Sequence, residues 1–266
     1  MKILFQIYTT IFLFLLCACG SDDVVEDDVV DSEVPSELGL DTFYKKYRDA
    51  EGIPVVSSEN VPDEALEKAK TIALEMLAKR PEIKTKLMEN QLRIGVIGKN
   101  EVTTDIPEHS DLNIAFPNTN WDTRARGLGA TNQRPVSTCA EENLLCYSVD
   151  VFSQEDIMVH EFAHSIHLLG IAFLEPDIDD RLEAVYQLAI QKGMWANTYA
   201  STNRQEYWAE GVQSWFNVNA ESIPTNGIHN DVNTRSELLI ADPDLYDLIS
   251  EYFEANDNLS SCHVLD

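Results

Sequence analysis

The segment His160-Glu161-Phe162-Ala163-His164 places two imidazoles and a carboxylate in an otherwise apolar stretch of the chain. Residues i and i+4 of a helix share one face, so both imidazoles could reach a single metal ion. In the H-E-x-x-H arrangement the two histidines bind zinc, and the glutamate between them acts as a general base. The segment therefore predicts a helix in which His160 and His164 are zinc ligands and Glu161 is the base.

A catalytic zinc ion also needs a third protein ligand and an open position for water. His167 follows His164 along the same helix and lies too far along its axis to reach the same ion easily, so we interpret it as a packed histidine. Glu206 and Glu210 are one helical turn apart and lie among aromatic and aliphatic residues. A carboxylate in apolar surroundings needs a cation or good hydrogen bonds, so this pair is the better source of a ligand.

We assign Glu206 as the third zinc ligand and Glu210 as the carboxylate that accepts a hydrogen bond from His160 or His164. The reverse assignment stays open, because a Glu-Gly step such as the one at Glu210 occurs at the third ligand of other zinc peptidases. Glu206 is preferred because Glu210, one helical turn later, is then available as the supporting carboxylate. With Glu210 as the ligand, that supporting position would fall to Ser214, which carries no charge.

Two further features suit the hydrolysis of a carbonyl compound. Tyr199 precedes Glu206 by seven residues, and its phenol could donate a hydrogen bond to the oxyanion that forms as water adds to a carbonyl. Residues 124–131 are predicted to contain an edge strand, which could align an extended peptide by strand addition. Its glycines would allow close approach, although a plain surface strand fits the same residues.

The combination of His160, Glu161, His164, Tyr199 and Glu206 resembles the catalytic domain of anthrax lethal factor and the related Pro-Pro endopeptidases. These are gluzincins, which share H-E-x-x-H and a distant glutamate ligand with thermolysin. The similarity covers roughly residues 124–216, and a group of secreted or surface proteins carries the same H-E-F-A-H helix. The thermolysin-type motif for the third ligand is absent near Glu183, so close kinship with thermolysin is not expected.

The resemblance implies a zincin-like metallopeptidase domain. It implies a zinc ion held by His160, His164 and Glu206, with Glu161 as general base and Tyr199 as a catalytic aid. It further implies that peptide bonds of a peptide or protein substrate are hydrolysed by a zinc-activated water. The alternatives are a zinc hydrolase of non-peptide amides or peptidoglycan, and a non-catalytic surface lipoprotein or adhesin with a structural zinc. Intact Glu161 and Tyr199 favour catalysis, since a structural site needs neither.

The N-terminal residues predict export. Residues 1–18 combine a lysine, an apolar run and small residues, which indicates a secretory signal. The sequence Leu16-Cys17-Ala18-Cys19 resembles a bacterial lipobox, so Cys19 is the predicted lipidation site. The alternative is an ordinary signal peptide. Residues 19–40 contain eight acidic residues and no Lys or Arg, which predicts a disordered tether that is either a spacer or a surface-export signal. We expect an exported protein that is lipid-anchored in the bacterial cell envelope, at the outer membrane or the cell surface.

The remaining residues, 41–266, suit one catalytic domain. The chain has 19 Lys and Arg against 46 Asp and Glu, a net charge of −27. Nucleic acid is therefore excluded as a partner, because its phosphates need clustered cations. The charge also suggests a preference for neutral or basic substrates. Cys139 and Cys146 are close enough in the chain to predict a disulfide, with Cys262 left over.

The hydrophobic patterns predict an α+β fold, rich in helices and with a small sheet. His109, His229 and His263 are interpreted as ordinary surface or loop histidines. The expected helices lie within 41–90, at 153–169 with Ser153 as N-cap and Gly170 as the stop, at 178–192, from about 202 to 215, and near 242–253. The expected strands lie at 92–98, at 111–116 and within 124–131.

Overall fold

A mixed five-stranded sheet forms one layer of the protein in the computed structural model, which describes residues 33–265. The strand order is β1-β2-β3-β5-β4. Strand β1 pairs antiparallel with β2, β3 runs parallel to β2 and β5, and β4 runs antiparallel to β5 at the sheet edge. The strands are β1 (Lys46–Ala50), β2 (Ile53–Ser57), β3 (Arg93–Ile97), β4 (Gly127–Leu128) and β5 (Val136–Ala140).

Helices supply the rest of the regular structure, so the α+β prediction is confirmed. Short 3₁₀ turns lie at Ser36–Leu38, Thr103–Asp105, Pro107–His109 and Tyr199–Ser201. The helices are α1 (Asp63–Met76), α2 (Pro81–Glu89), α3 (Leu112–Ala115), α4 (Trp121–Arg124), α5 (Glu141–Leu144), α6 (Ile157–Ser165), α7 (Ala172–Leu174), α8 (Ile178–Lys192), α9 (Arg204–Trp215), α10 (Arg235–Ala241) and α11 (Pro243–Ser250).

Helix α6 is capped at its N-terminus by Asp156 and not by the predicted Ser153. The Asp156 carboxylate accepts a hydrogen bond of 3.0 Å from the backbone N–H of Val159, which satisfies a donor of the first turn. Gly170 does not end the helix, because α6 passes through a π turn at Ile166–Ile171 into α7. A Cβ on Gly170 would lie 2.7 Å from Ile83 Cγ2, so this glycine permits close packing on α2.

Helices α8 and α9 lie close to their predicted positions. Helix α8 ends at Gly193, which adopts the left-handed conformation that favours glycine. Helix α9 is capped by Asn203, whose side chain accepts hydrogen bonds from the backbone N–H groups of Gln205 and Glu206. The cap therefore fixes the backbone of Glu206 in the first turn of its helix.

Two predicted elements are wrong, and one strand was not predicted. Residues 46–57 form a β-hairpin and not a helix, and the turn at Glu51-Gly52 has positive φ at both residues. Arg48 points inward from β1 and pairs with Asp63 and Glu67 of α1, so the buried face carries a cation and hides the strand pattern. Residues 111–116 contain helix α3 and not a strand, and β5 was not predicted because Ser137 and Thr138 interrupt its apolar run.

The predicted disulfide is also wrong. Cys146 is bonded to Cys262, and Cys139 is a free thiol buried in β5. The side chain of Cys139 belongs to the apolar core, where burial raises the pKa of its thiol. The C-terminal segment is thereby tied to the loop after α5, across a sequence separation of 116 residues.

The structure bears differently on the two ends of the chain. The predicted signal, Cys19 and the tether up to residue 32 lie outside the described residues. Residues 33–40 are described and include the 3₁₀ turn at Ser36–Leu38. Within residues 33–265, one helical run, Ile157–Leu174, is long and apolar enough to cross a membrane. That run is 67% buried inside the protein, which accounts for its composition as a core helix.

The disulfide predicts a specific response to reduction. Closing a loop of this length stabilises a protein by about 4–5 kcal/mol on the chain-entropy argument. We expect Cys146→Ser and Cys262→Ser each to lower the free energy of unfolding, measured in urea, by about that amount. Adding a reductant to the wild type should have the same effect. Cys139→Ala is the control: it should lose as much stability on reduction as the wild type does. A Cys139→Ala protein that no longer responds to reductant would contradict the pairing.

Candidate metal centre

Helices α6 and α9 pack together and bring three donor atoms to one point. His160 Nε2 lies 3.1 Å from Glu206 Oε2, His164 Nε2 lies 3.2 Å from the same oxygen, and the two Nε2 atoms are 3.2 Å apart. Ligands about 2.1 Å from a tetrahedral ion lie about 3.4 Å from one another. The nearly equilateral triangle therefore fits three corners of a tetrahedral metal centre, with the fourth corner left for water or substrate.

The charges of the triangle favour a cation. Burial lowers the pKa of His160, but the hydrogen bond with Glu206 and the charges of Glu161 and Glu210 outweigh burial and raise it to about 10. Burial raises the pKa of Glu206, and the two imidazoles outweigh burial and hold it well below its usual range. A positive charge between these side chains is thus stabilised, whether it is a proton or a metal ion.

Gln213, and not Glu210, is the hydrogen-bond partner of His160 Nδ1. His160 Nδ1 donates to Gln213 Oε1 at 2.8 Å, which leaves Nε2 facing the triangle. The Gln213 amide is held in turn, because its Nε2 donates to Glu155 Oε2 and to the Asp156 carbonyl, both at 3.1 Å. Glu210 Oε1 stays 3.8 Å from His160 Nδ1, so the predicted role of Glu210 is corrected.

The position of Gln213 in the sequence carried a signal that was missed. It follows Glu206 by seven residues, which is two helical turns and hence the same face of α9. Gln213 carries no charge, so it does not stand out as a partner for a histidine. Its amide oxygen nevertheless accepts a hydrogen bond from an imidazole N–H, as a carboxylate does. The Glu210 carboxylate instead accepts a hydrogen bond of 3.1 Å from Asn219 Nδ2.

Glu161 lies between the triangle and strand β4. A Cβ on Gly127 would lie 3.0 Å from Glu161 Cγ, and one on Gly129 would lie 2.7 Å from His164 Cβ. The predicted glycines of this strand therefore permit close packing on α6. Burial raises the pKa of Glu161, and the two imidazoles lower it in part. A carboxylate with a raised pKa accepts a proton more readily near neutral pH, as a general base must.

Tyr199 lies beside the triangle, in the 3₁₀ turn that leads into α9. Its ring stacks on His160 with 6.2 Å between ring centroids, and its backbone N–H donates to the Ile228 carbonyl at 2.8 Å. Burial and the charge of Glu206 raise the pKa of Tyr199 to about 12, so the phenol stays protonated at neutral pH. The structure thus brings together all five predicted site residues: His160, Glu161, His164, Tyr199 and Glu206.

His167 lies outside the triangle, as predicted. It is buried against Trp208, with Nε2 3.2 Å from Asp179 Oδ1. Burial lowers its pKa to about 4, so the imidazole is neutral at physiological pH.

The interpretation of three other histidines as surface or loop residues is wrong in one respect, because His109, His229 and His263 are all buried. His229 lies between two carboxylates, with Nε2 3.4 Å from Glu155 Oε1 and Nδ1 3.7 Å from Glu210 Oε2. A single metal ion takes only one nitrogen of an imidazole, so this arrangement suits a protonated imidazole that bridges two anions. No local pattern predicts it, since the three residues are far apart in the chain.

Comparisons of the sequence with protein-family models and with curated proteins found no match. The functional assignment therefore depends on the chemistry and geometry of the site residues.

Replacing Gln213 tests its effect on the proposed metal ligand. Gln213→Leu leaves His160 Nδ1 without an acceptor, and loss of such a partner typically costs 10–100-fold in metal affinity. We expect that decrease in a zinc titration against a chromophoric chelator, with the fold checked by circular dichroism. Gln213→Glu retains an acceptor and should bind zinc more tightly than Gln213→Leu. The exposed Gln187→Leu is the control, and equal affinities for Gln213→Leu and the wild type would remove Gln213 from this role.

The His229 bridge predicts a pH-dependent contribution to stability. Burial lowers the pKa of His229, but Glu155 and Glu210 outweigh burial and raise it from 6.5 to about 9. A raised folded-state pKa gives stability that is fully present below about pH 6.5 and is lost as the pH rises through about 9. The difference in unfolding free energy between the wild type and His229→Gln should shrink over that window. A difference that is constant from pH 6 to pH 10 would show that the imidazole is not charged.

Proposed function

We propose that the protein is a zinc-dependent peptidase of the gluzincin type that hydrolyses peptide bonds at the bacterial envelope. The observation that carries the proposal is the triangle of His160 Nε2, His164 Nε2 and Glu206 Oε2, with a base and a phenol beside it. Two imidazoles, one carboxylate and an open position are the ligand set of catalytic zinc sites. When bound, zinc lowers the pKa of a water molecule to about 7 and draws electrons from a carbonyl oxygen.

Glu161 performs the proton transfers in this proposal. Its carboxylate takes a proton from water as the water oxygen attacks the carbonyl carbon of the peptide. As the C–N bond breaks, the same carboxyl group passes that proton to the leaving nitrogen, so the base is restored. The raised pKa of Glu161 and its place between α6 and β4 support this role.

Tyr199 and Gln213 act without exchanging protons. The protonated Tyr199 phenol donates a hydrogen bond to the oxyanion that forms on the carbonyl oxygen. Gln213 fixes the tautomer of His160, so that Nε2 keeps its lone pair directed at the triangle. Both residues hold positions that the reaction needs before substrate arrives, which is how preorganised hydrogen bonds lower a barrier.

Strand β4 supports an extended peptide as the substrate. Within the described residues β4 pairs only with β5, so its outer edge is available for a further strand. Because Gly127 and Gly129 pack directly on α6, a peptide on that edge would pass close to Glu161. This geometry favours a peptide over the non-peptide amides and peptidoglycan that the same zinc chemistry could also hydrolyse.

The resemblance to lethal factor and the Pro-Pro endopeptidases is carried by the same five side chains, and it supports the same chemistry. The proposal includes a zincin-like fold, which is one kind of α+β architecture. In this proposal the predicted signal exports the protein, and lipidated Cys19 anchors the catalytic domain to a membrane. Nucleic acid has no role in it.

Cleavage of a mixed peptide library by the full-length protein, read by mass spectrometry, tests the proposal. We expect cuts that a chelator abolishes and added zinc restores. In Glu161→Gln the rate should fall by about 10²–10⁴, because the general base is lost while the side chain keeps its shape. The control is Glu64→Gln, which makes the same carboxylate-to-amide substitution at an exposed position of α1 and should cut peptides like the wild type. Intact, zinc-loaded protein that cuts no peptide would refute general peptidase activity and leave either a narrow-substrate enzyme or the non-catalytic lipoprotein.

A further inference from the structure

Arg124 differs from every other arginine in its partners. The other eight each form an ion pair with Asp or Glu, and Arg124 forms none with any residue in 33–265. The chain has 46 acidic residues against 19 basic ones, so carboxylates are abundant. An exposed arginine that has no carboxylate partner on such a surface is free to bind one from another molecule.

Arg124 lies at the entrance to the candidate site. It ends α4, three residues before Gly127, and three residues span at most about 10 Å. A Cβ on Gly127 would lie only 3.0 Å from Glu161 Cγ, so Arg124 lies within side-chain reach of the proposed base. The charge of Arg124 also acts on the Tyr199 phenol, whose pKa it lowers in part.

The guanidinium group is oriented by an aromatic support. It lies over the Trp121 ring, 5.5 Å from the centroid, and Trp121 packs edge to face against the exposed Phe116. Stacking leaves the N–H groups at the rim of the guanidinium available, and these match a carboxylate in a two-point interaction.

The neighbouring charged groups are already engaged. Arg126 donates to the Glu142 carboxylate and to the Gly98 and Glu101 carbonyls. Asp122 accepts hydrogen bonds from the backbone and hydroxyl of Thr104. Among residues 33–265, Arg124 is thus the cation at this end of β4 that remains available to a ligand.

We propose that Arg124 binds a carboxylate of the peptide substrate close to the scissile bond, either an acidic side chain or the free C-terminus. The inference rests on the proposed peptidase function and names a substrate class for it. It departs from the expectation of neutral or basic substrates drawn from the net charge. Exposed charges are screened beyond about 8 Å at physiological ionic strength, so a direct contact with Arg124 outweighs the distant surface carboxylates.

The test uses peptide pairs that differ only in charge. Each pair replaces Asp with Asn at one position, and a further pair replaces the free C-terminus with an amide. We expect kcat/KM for the wild type to be about tenfold higher with the charged member at one position, since a charge-assisted hydrogen bond contributes roughly 1.5 kcal/mol or more. The position that shows the preference distinguishes a side-chain carboxylate from the C-terminus.

Arginine variants assign the preference to its source. Arg124→Gln should cleave both members of the pair at equal rates, and Arg124→Glu should prefer the uncharged one. The control is Arg134→Gln, which removes an arginine paired with Asp111 and should keep the wild-type preference. A wild type that cuts without any charge preference, or an Arg124→Gln protein that keeps it, overturns the inference and leaves the peptidase proposal intact.

A binding measurement separates the inference from the failure of catalysis. The same peptide pairs are captured on immobilised Glu161→Gln protein and quantified by mass spectrometry. We expect the acidic members to be enriched, and the enrichment to vanish in the Glu161→Gln, Arg124→Gln double variant. Enrichment without cleavage by the wild type would support the carboxylate site and refute the peptidase. Neither cleavage nor enrichment would refute both.

Discussion

The contact between α6 and α9 is the constraint on which the rest of the site depends. It buries two imidazoles and a carboxylate at distances of about 3.1–3.2 Å, and such groups are costly to bury without matched charges. Apolar packing around them holds the two helices together. The Trp208 indole, for example, donates a 3.0 Å hydrogen bond to the Ala163 carbonyl from within an aromatic cluster. The polar triangle is therefore positioned by a core that does not itself take part in the chemistry.

The start of α6 is held as firmly as its centre, and by residues far from it in sequence. Asn143 Oδ1 accepts the Ile157 N–H at 2.8 Å, and its amide donates to the Glu155 carbonyl at 2.9 Å. The disulfide lies just beyond α5, and His263 Nε2 lies 2.9 Å from the Asn143 carbonyl. The C-terminal segment thus supports the loop that fixes the register of the histidine pair, which gives the disulfide a place in the architecture of the site.

The residues of the site could be predicted from the sequence where their chemistry is local. The spacing of His160 and His164 has meaning on any helix, and Glu206 stands out because a carboxylate among aromatic residues needs a partner. Gln213 and the Cys146–Cys262 bond could not be found in this way, because each depends on a tertiary contact. The hairpin at 46–57 was missed for a related reason: the inward residue Arg48 is stabilised by α1, which no strand pattern records.

The parts of the site differ in how they are held, and this has a mechanical consequence. Glu161 and β4 are held by direct packing, because side chains at Gly127 and Gly129 would collide with α6. Tyr199 depends on a loop, since its backbone is bonded to the Ile228 carbonyl next to His229. His229 in turn is held by Glu155 and Glu210, and Glu155 also holds Gln213. The phenol and the orientation of His160 therefore share one buried ion cluster, so a change in that cluster reaches the oxyanion donor and a proposed metal ligand together.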